Sequence, residues 1–532
     1  MKRAVSRVVA MLALWMVLAG AAQARGAEPV ARIPLGPMGY QTMVPEFLLA
    51  GSSMLSVDFV DADHLLVTFG LRQLMERLPG DPADDDRMVG AALVELPSGK
   101  MLAETQWRLH DRGQYLWELG HGRFLLRVRD RLSVIAPMAA GGAKDAFRET
   151  PLLHIERHIV ALMVSANEDL LTVETTKLTP GEAGEAGVEA GPSGDLVIHD
   201  PAQTDPAPVQ LNFYRLMSTG AGAEGLVVTS AGAIRARTAI ELPMTTGGFL
   251  DVIEGGKDRW LFNFDEHTGR VSELAEFDTT CAPHPTFVGH GEFVAFGCRG
   301  SVDKQELAGF NLKGEEMWQQ NFSDQHTSPA FSFAPAAGRF ALGRVVVTVA
   351  VDESALLPEG AVSAEEVRVV QSYDGRVLFK IDCTPVERAG ENFALSADGM
   401  RLAVVRETVV HHAATKDYDE YTEREAAVEV YALPPLTEKD QAEVKAAEAM
   451  APPDAGARID LSLERVSTPV AGDAAASAAG GESTALASAA VGEQGAPVAA
   501  GAVVLGDPEP GAARKRPTLY GPDETPAGSS SR

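Results

Sequence analysis

Cysteine is the residue type in this chain whose spacing most directly predicts covalent chemistry. Cys281 and Cys298 lie at nearly equal distances from a turn at 289–291, between segments typical of β-strands. Antiparallel pairing about this turn brings the two Cα atoms within the roughly 4.4 to 6.8 Å that a disulfide requires. We therefore predict a Cys281–Cys298 disulfide. The third cysteine, Cys383, stays a free thiol with no neighbouring histidine to activate it.

Two histidine pairs have spacings that raise the question of a metal ion. His154 and His158 would share one face of a helix, but the surrounding residues alternate as in a strand. Residues four apart in a strand are about 13 Å apart and cannot share an ion. His411 and His412 adjoin an acidic segment in which a metal site is the alternative to a solvated loop. We predict no metal site at either pair.

A carboxylate-rich loop is the remaining candidate for a cation, and it contains Asp81, Asp84, Asp85 and Asp86. A calcium loop needs alternating ligands around a glycine turn, which this loop lacks, so a solvated loop is favoured over Ca²⁺. The chain has no G-x-S-x-G elbow, phosphate loop, C-x-x-C pair or H-E-x-x-H helix. We predict no catalytic residue, cofactor-binding residue or bound cofactor.

Short hairpin turns recur along the chain and indicate the elements that position these residues. The turns lie between apolar strands at Gly99, Gly269, Gly314 and Gly375. Glycine supplies the positive φ angle that such turns need. The successive gaps are 170, 45 and 61 residues, and the first equals about three units. β units that recur at this length predict the blades of a propeller.

A second unit precedes the first in most repeats and consists of an apolar strand, a polar turn and a more apolar strand. Such strands are typical of the inner part of a blade, where neighbouring blades cover both faces. The turns of this second unit lie near seven residues: Asp63, His121, Glu168, Glu224, His290, Gly338 and Gly399. The copy at Glu224 is degenerate. The sequence predicts an all-β fold, a single propeller of seven four-stranded blades over 25–436, with six or eight blades as alternatives.

The propeller region is longer than seven blades require. It supplies about 59 residues per blade, against roughly 40 to 50 in ordinary blades, so the excess is assigned to surface insertions. The insertions are predicted at 77–87, 179–208, 352–366 and 411–426.

The two ends of the propeller region need separate explanations. The last blade lacks an outer strand, and residues 31–43 are the candidate to complete it, with 458–466 as the rival. Residues 437–450 predict a short helix that begins with a capping box. Residues 451–532 are poor in aromatic side chains and predict a disordered tail that contributes nothing to the core.

The hairpin turns also carry a resemblance. These turns resemble the repeats of WD-repeat-like and quinoprotein-like propellers, including secreted bacterial ones, over about residues 45 to 435. The copy most similar to those repeats is FNLKGEEMWQQNF. This resemblance implies a propeller fold and either a binding role or an enzyme with its site at the central channel.

The first 24 residues have the features of a signal peptide. A basic start is followed by an apolar run at 8–20 and by the small-x-small pattern Ala22-Gln23-Ala24. We expect a mature chain that begins at Arg25 and is periplasmic or extracellular. No cysteine follows the run to accept a lipid anchor, and no later segment reaches the roughly 20 apolar residues of a membrane span.

The charge of the chain restricts its partners. The formal charge is −28, and it becomes −31 when the three basic residues of the signal peptide are removed. Such a surface repels nucleic acid and anionic lipid. Within the tail, one basic cluster is a candidate docking motif: Arg514, Arg516, Leu519 and Tyr520.

These features favour an exported, monomeric binding or scaffolding module for a protein or cell-envelope component, which uses its insertions and its tail. The alternative is a propeller enzyme, a hydrolase or oxidoreductase with a metal or cofactor in the central channel. The enzyme is the less favoured interpretation, because no motif supplies a nucleophile or a ligand set.

Overall fold

In a computed structural model, the chain forms seven antiparallel sheets arranged as the blades of a propeller. The chain divides into two units, 1–492 and 493–532, and every described residue belongs to the first. The structure describes residues 28–41, 55–71, 87–109, 114–138, 145–155, 157–176, 188–190, 196–198, 209–220, 222–236, 243–299, 304–322, 329–347, 362–383, 392–414, 420–454, 456 and 458–459. This part of the chain contains no helix with the length and hydropathy that a membrane crossing requires.

Each blade is an antiparallel meander ordered from the central channel outward, and only the first strand of the chain departs from this order. That strand, which belongs to blade 7, is β1 (Ala31–Pro34). Blade 1 contains β2 (Ser56–Asp61), β3 (His64–Leu71), β4 (Arg87–Glu95) and β5 (Lys100–Leu109). Blade 2 contains β6 (Leu116–Glu118), β7 (Phe124–Val128), β8 (Arg131–Ile135) and β9 (Thr150–His154).

Blade 3 is interrupted by a separate two-stranded hairpin between its second and third strands. The strands of blade 3 and of this hairpin are β10 (His158–Val164), β11 (Leu170–Thr176), β12 (Val188–Ala190), β13 (Leu196–Ile198), β14 (Val209–Ser218) and β15 (Leu226–Ala236). In blade 4 the innermost position is reduced to a single bridge between Met244 and Phe249. Its strands are β16 (Gly248–Gly256), β17 (Arg259–Glu266) and β18 (Val271–Phe277).

The remaining blades each have four strands. Blade 5 contains β19 (His284–Phe287), β20 (Glu292–Cys298), β21 (Gln305–Asn311) and β22 (Glu316–Phe322). Blade 6 contains β23 (Ala330–Ala334), β24 (Arg339–Val347), β25 (Val362–Gln371) and β26 (Val377–Cys383). Blade 7 contains β27 (Phe393–Leu395), β28 (Arg401–His412) and β29 (Tyr421–Ala432), and is followed by α1 (Glu438–Glu448).

Burial within a blade follows its position in the propeller. In blade 5, every residue of β20 and β21 is buried, whereas the residues of the outer strand β22 are exposed or partly buried except for Phe322. Neighbouring blades meet through apolar clusters such as the edge-to-face contact of Phe262 with Phe293 between blades 4 and 5, with ring centroids 5.3 Å apart. The apolar inner strands therefore form the core because both of their faces are covered.

The predicted glycine turns are confirmed. Gly99, Gly269, Gly314 and Gly375 have φ angles of 68°, 90°, 84° and 67°, in the left-handed region that favours glycine. They join the outer two strands of blades 1, 4, 5 and 6. The gap of 170 residues between the first two turns therefore spans three blades, as the sequence predicts.

The seven-bladed fold is also confirmed, but the predicted inner turn at Glu224 is wrong. Glu224 lies in a 3₁₀ turn, Ala223–Gly225, which connects the outer strands β14 and β15 of blade 3. The inner turn of blade 4 is at 245–248 instead, where the Thr245 N–H donates to the Gly248 carbonyl at 2.8 Å. The sequence has no strand pattern before this turn because the innermost strand of blade 4 is reduced to the bridge at Met244.

The N-terminal strand closes the propeller, as predicted. β1 pairs antiparallel with β29, from Ala31 opposite Val430 to Pro34 opposite Ala427. The rival assignment to 458–466 is wrong for its described residues, because the Ile459 N–H donates to Ala231 of blade 3 at 2.7 Å. The first strand thereby covers the edge that β29 would otherwise expose.

The four insertions share one end of the propeller. The connections at 72–86, 177–208, 348–361 and 413–420 each join the second strand of a blade to its third. Since strands alternate in direction, these connections leave from one end, which we call the insertion end. The other two turns of each blade lie at the opposite end, which we call the strap end.

Two insertion boundaries need correction. The predicted insertion at 352–366 overlaps β25, which begins at Val362. Half of the predicted insertion at 411–426 lies within β28 and β29, which pair from Arg401 opposite Ala432 to His412 opposite Tyr421. Both segments read as loops in the sequence because charged residues interrupt the apolar alternation of strands that leave the core.

Candidate functional site

The strap end is crossed by the chain that follows the last blade. We call residues 433–459 the C-terminal strap. It begins at the end of β29, contacts the turn at 335–338 of blade 6 through α1, and continues over blades 5 and 4 to blade 3. The predicted helix at 437–450 is present as α1, somewhat shorter at both ends.

The start of the helix is fixed by Asp440. A capping box links it to Thr437, whose N–H donates to the Asp440 carboxylate at 2.8 Å. The same carboxylate accepts hydrogen bonds from the Tyr373 hydroxyl at 2.9 Å and from Arg376 at 3.0 Å. Burial acts to raise the pKa of Asp440, but these hydrogen bonds and the arginine charge outweigh it and lower the pKa to about 2. The helix is thus joined to the outer turn of blade 6.

The end of the helix is fixed by His290, which lies in the inner turn of blade 5. Its Nδ1 is 2.7 Å from the carboxylate of Glu448, and its Nε2 is 2.6 Å from the carboxylate of Asp169 in blade 3. Burial alone would lower the pKa of His290, but the hydrogen bonds and charges of the two carboxylates raise it to about 9. A charged imidazole therefore links the strap to two blades at neutral pH.

Glycines in the inner turns let the strap lie directly on the backbone. A Cβ atom at Gly291 would be 1.9 Å from the carbonyl oxygen of Ala447, and one at Gly338 would be 2.7 Å from a methyl group of Val444. No side chain fits in such gaps. The close approach explains why these two turns carry glycine.

Beyond the helix, the strap continues into the region predicted as a disordered tail. The Asp454 carboxylate accepts from Arg215 Nε at 2.8 Å, and Ile459 is fully buried in a cluster that includes Leu211 and Phe213. The prediction that nothing after residue 450 contributes to the core is therefore wrong for residues up to 459. A segment of low apolar content still contributes where one isoleucine packs into an apolar cluster of the blades.

Three carboxyl groups lie near the central channel on blades 1 to 3. Asp58 is in β2, Glu118 ends β6, and Glu168 occupies the turn after β10 with a φ angle of 60°. Burial raises the pKa of Asp58 to about 6, against an opposing hydrogen bond from Ser56. Burial, with the charges of Glu168 and Asp58, raises the pKa of Glu118 well above its ordinary value.

Glu168 is surrounded by groups of both signs. Its carboxylate lies against Gly120, where an added Cβ would be 2.1 Å from Oε2. Arg123, which is 1% exposed, donates from Nε to the Gly120 carbonyl at 3.1 Å. Burial raises the pKa of Glu168 to about 7, with Arg123 opposing and Asp169 adding to the shift. Carboxyl groups in this range can both donate and accept protons at neutral pH.

The sequence did not identify these carboxyl groups. The available signal was an acidic residue within an innermost apolar strand, as in SVDFVD at Asp58 and YLWELG at Glu118. Among the described residues, no group of three or more histidine, cysteine, aspartate or glutamate side chains is arranged to hold a metal ion. The raised pKa values of these carboxyl groups suit proton transfer.

The predicted disulfide lies in blade 5. Cys281 and Cys298 are bonded, with their Cα atoms 5.3 Å apart. The Thr280 N–H donates to the Cys298 carbonyl at 2.8 Å, which holds the segment before β19 beside β20. The Cys383 side chain lies outside the described part of the structure, so its free thiol stays a prediction.

The histidine pairs are placed as follows. His154 ends β9 of blade 2 and His158 begins β10 of blade 3, so the expectation of one continuous strand is wrong. His158 lies instead 3.3 Å from the Asp130 carboxylate. His411 and His412 end β28, where the second ring stacks on Tyr421 with centroids 4.5 Å apart.

Two sets of predicted residues lie outside the described ranges. The first is the carboxylate loop, and the second is the docking motif in the tail: Asp81, Asp84, Asp85, Asp86, Arg514, Arg516, Leu519 and Tyr520.

No protein-family profile and no curated protein sequence matches this chain. Among solved structures, it is similar to an acylaminoacyl peptidase of Pyrococcus horikoshii, with 11% sequence identity and a TM-score of 0.37. The match covers 68% of this chain and 50% of that chain. This chain thus spans half the length of that peptidase.

Two further solved structures match this chain over nearly their whole length. The C-terminal WD40 domain of Sif2 shares 10% identity over 77% of this chain and 99% of that one, with a TM-score of 0.33. The structure of Chaetomium thermophilum Sqt1 bound to the N-terminus of ribosomal protein L10 shares 10% identity over 76% of this chain and 100% of that one, with a TM-score of 0.35. Likeness at this level does not bear on function, and the architecture rests on the strand order of this chain itself.

Proposed function

We propose that this chain is an exported protein-binding or scaffolding module that engages its partner at the insertion end. The observation that carries the proposal is the strap, which is anchored across blades 6, 5 and 3 at the opposite end. A large partner at the strap end would have to displace these contacts. The four insertions, where individual function usually resides in repeat folds, leave from the other end.

Export is supported by the sequence at 1–24, with its basic start, apolar run and cleavage pattern. A fusion of residues 1–30 to alkaline phosphatase tests it, because that enzyme becomes active only after export. We expect activity with the natural segment and none when Lys2, Arg3 and the apolar run are deleted. Activity that survives the deletion would contradict export by this segment.

Binding at the insertion end is tested by quantifying proteins that co-purify with the mature chain. One variant replaces 177–208 with a short Gly-Ser linker, and the matched control deletes 467–532. We expect the partner to be lost with the first variant and retained with the second, at unchanged melting temperatures. Loss of the partner only when 467–532 is deleted would move the docking site to the tail. Retention of the partner by both variants would contradict a role for the insertion at 177–208.

A second candidate function is supported by Asp58 and Glu168, whose carboxyl groups have pKa values of about 6 and 7 near the channel. Carboxyl groups with such pKa values suit general acid–base catalysis by a hydrolase. The test is a screen with ester, peptide and glycoside substrates across pH. The enzyme hypothesis expects turnover that Glu168→Gln abolishes, and turnover insensitive to this substitution would contradict it.

A further inference from the structure

Blade 7 extends beyond the body of the propeller as a two-stranded ribbon. β27 pairs with β28 only at 402–404, and β1 pairs with β29 only at 427–430. The rest of the two strands, 406–412 and 421–426, continues toward the insertion end as a pair. Val409 is 56% exposed and Tyr421 48% exposed, so the ribbon leaves the core.

The outer edge of this ribbon presents unpaired backbone groups. The Leu35 N–H donates to the Ala426 carbonyl at 2.9 Å, and the Val30 N–H to the Val430 carbonyl at 2.7 Å. Even-numbered residues of β29 therefore direct their backbone groups to the outer edge. Thr422 and Arg424 have the same parity, and among the described residues no backbone partner meets them on that edge. An added strand would pair with β29 beyond the 3₁₀ helix Gly36–Met38, which follows β1 and contacts β29.

The charge of the ribbon and its surroundings defines what could pair there. Glu423 and Glu425 are two apart, so their side chains lie on one face of the edge strand. The four connections at this end, 72–86, 177–208, 348–361 and 413–420, contain 17 acidic and four basic residues. Opposite charges across a strand pair stabilise it, and like charges destabilise it. The edge therefore favours a basic strand.

A second copy of this chain does not fit the same edge. Two-fold antiparallel pairing centred on Glu423 places it opposite the same residue of the second copy. Centring on Arg424 places two arginines opposite each other and Glu423 opposite Glu425. Both registers set like charges together, which disfavours self-association.

We propose that the outer edge of β29 at 421–425 binds an extended segment of a partner protein by strand addition, with basic side chains opposite Glu423 and Glu425. The inference deepens the proposed binding function and depends on it. Backbone groups of Thr422 and Arg424 supply the hydrogen bonds, and the alternating glutamates select the sequence. The acidic surroundings speed the encounter with a cationic segment.

The test uses the full mature chain and a fluorescent peptide in which lysine alternates with threonine. We expect binding by anisotropy, with slower hydrogen exchange at the amides of Thr422 and Arg424. The double variant Glu423→Lys, Glu425→Lys should weaken binding by about tenfold or more. The matched control, Glu273→Lys with Glu316→Lys, changes two exposed glutamates of blades 4 and 5 by the same charge and should leave binding unchanged.

A second peptide separates strand addition from simple charge attraction. It keeps every lysine but carries N-methyl groups on alternate amides, in both phases in turn, so that it cannot form a strand ladder. We expect both N-methyl peptides to lose binding. Equal binding of these peptides, or equal effects of the two double variants, would overturn the inference. If the lysine peptide fails while the partner still depends on the insertion at 177–208, the inference falls and the proposed function stands.

Discussion

The packing of Ile459 gives the strap a measurable share of the stability of the propeller. A chain that ends at Met450 loses this fully buried side chain, which contributes about 1.5 to 3 kcal/mol. It also loses the ion pair of Asp454 with Arg215, worth about 0.2 to 1 kcal/mol because the aspartate is partly exposed. The expected loss is therefore about 2 to 4 kcal/mol.

This loss converts to a shift in melting temperature. An unfolding entropy of about 2.1 cal/mol/K per residue gives about 0.8 kcal/mol/K for a propeller of about 400 residues. We expect calorimetry to show a fall of roughly 3 to 5 °C. A chain that ends at residue 466 keeps Ile459 and should melt like the full chain, whereas Ile459→Ala in the full chain should reproduce most of the loss. Melting within a degree of the full chain for both the chain ending at Met450 and the substitution would refute the reasoning.

Three further results are expected. Gly291→Ala should destabilise the strap and increase hydrogen exchange in α1, because its Cβ would lie 1.9 Å from the Ala447 carbonyl oxygen. The control Gly289→Ala should be neutral, because the atom nearest to its Cβ is 3.9 Å away. Equal hydrogen exchange in the two variants would contradict this packing. The raised pKa of His290, about 9, implies ion pairs that contribute fully below the ordinary value of 6.5 and are lost as pH rises through about 9. Thermal melts should therefore show His290→Gln below the natural chain at about pH 6 and level with it at about pH 10, and a constant difference would refute this linkage. Replacing both disulfide cysteines with serine should cost about 3 kcal/mol in denaturant unfolding, and an unchanged midpoint would contradict a stabilising bond.

Local chemistry made much of the fold predictable. The turns at Gly269 and Gly314 require a positive φ angle, so glycine between two apolar strands indicated a blade hairpin there. The unpaired edge of the last blade required a covering strand, and the apolar segment at Ala31–Pro34 supplied it. The disulfide followed from the register about one turn.

The strap and the channel carboxyl groups depend on closure of the ring, which no local pattern encodes. His290 and Glu448 are 158 residues apart, and only the return of the chain across the strap end brings them together. Ile459 begins the alternation of Ile459, Leu461 and Leu463, which predicts a strand for the last blade, and no local pattern directs it to blade 3 instead. Asp58 and Glu118 become neighbours because successive innermost strands pack side by side.

Photo-crosslinking tests the central claim, that the partner binds at the insertion end, most directly. A photoreactive phenylalanine analogue replaces Val409, which is 56% exposed on the ribbon, or Val377, which is 42% exposed beside the strap-end turn of blade 6. Both positions are exposed valines, so the two variants serve as matched controls for each other. We predict a crosslinked partner with the analogue at Val409 and none at Val377. A partner crosslinked at Val377 alone would contradict the proposed binding end.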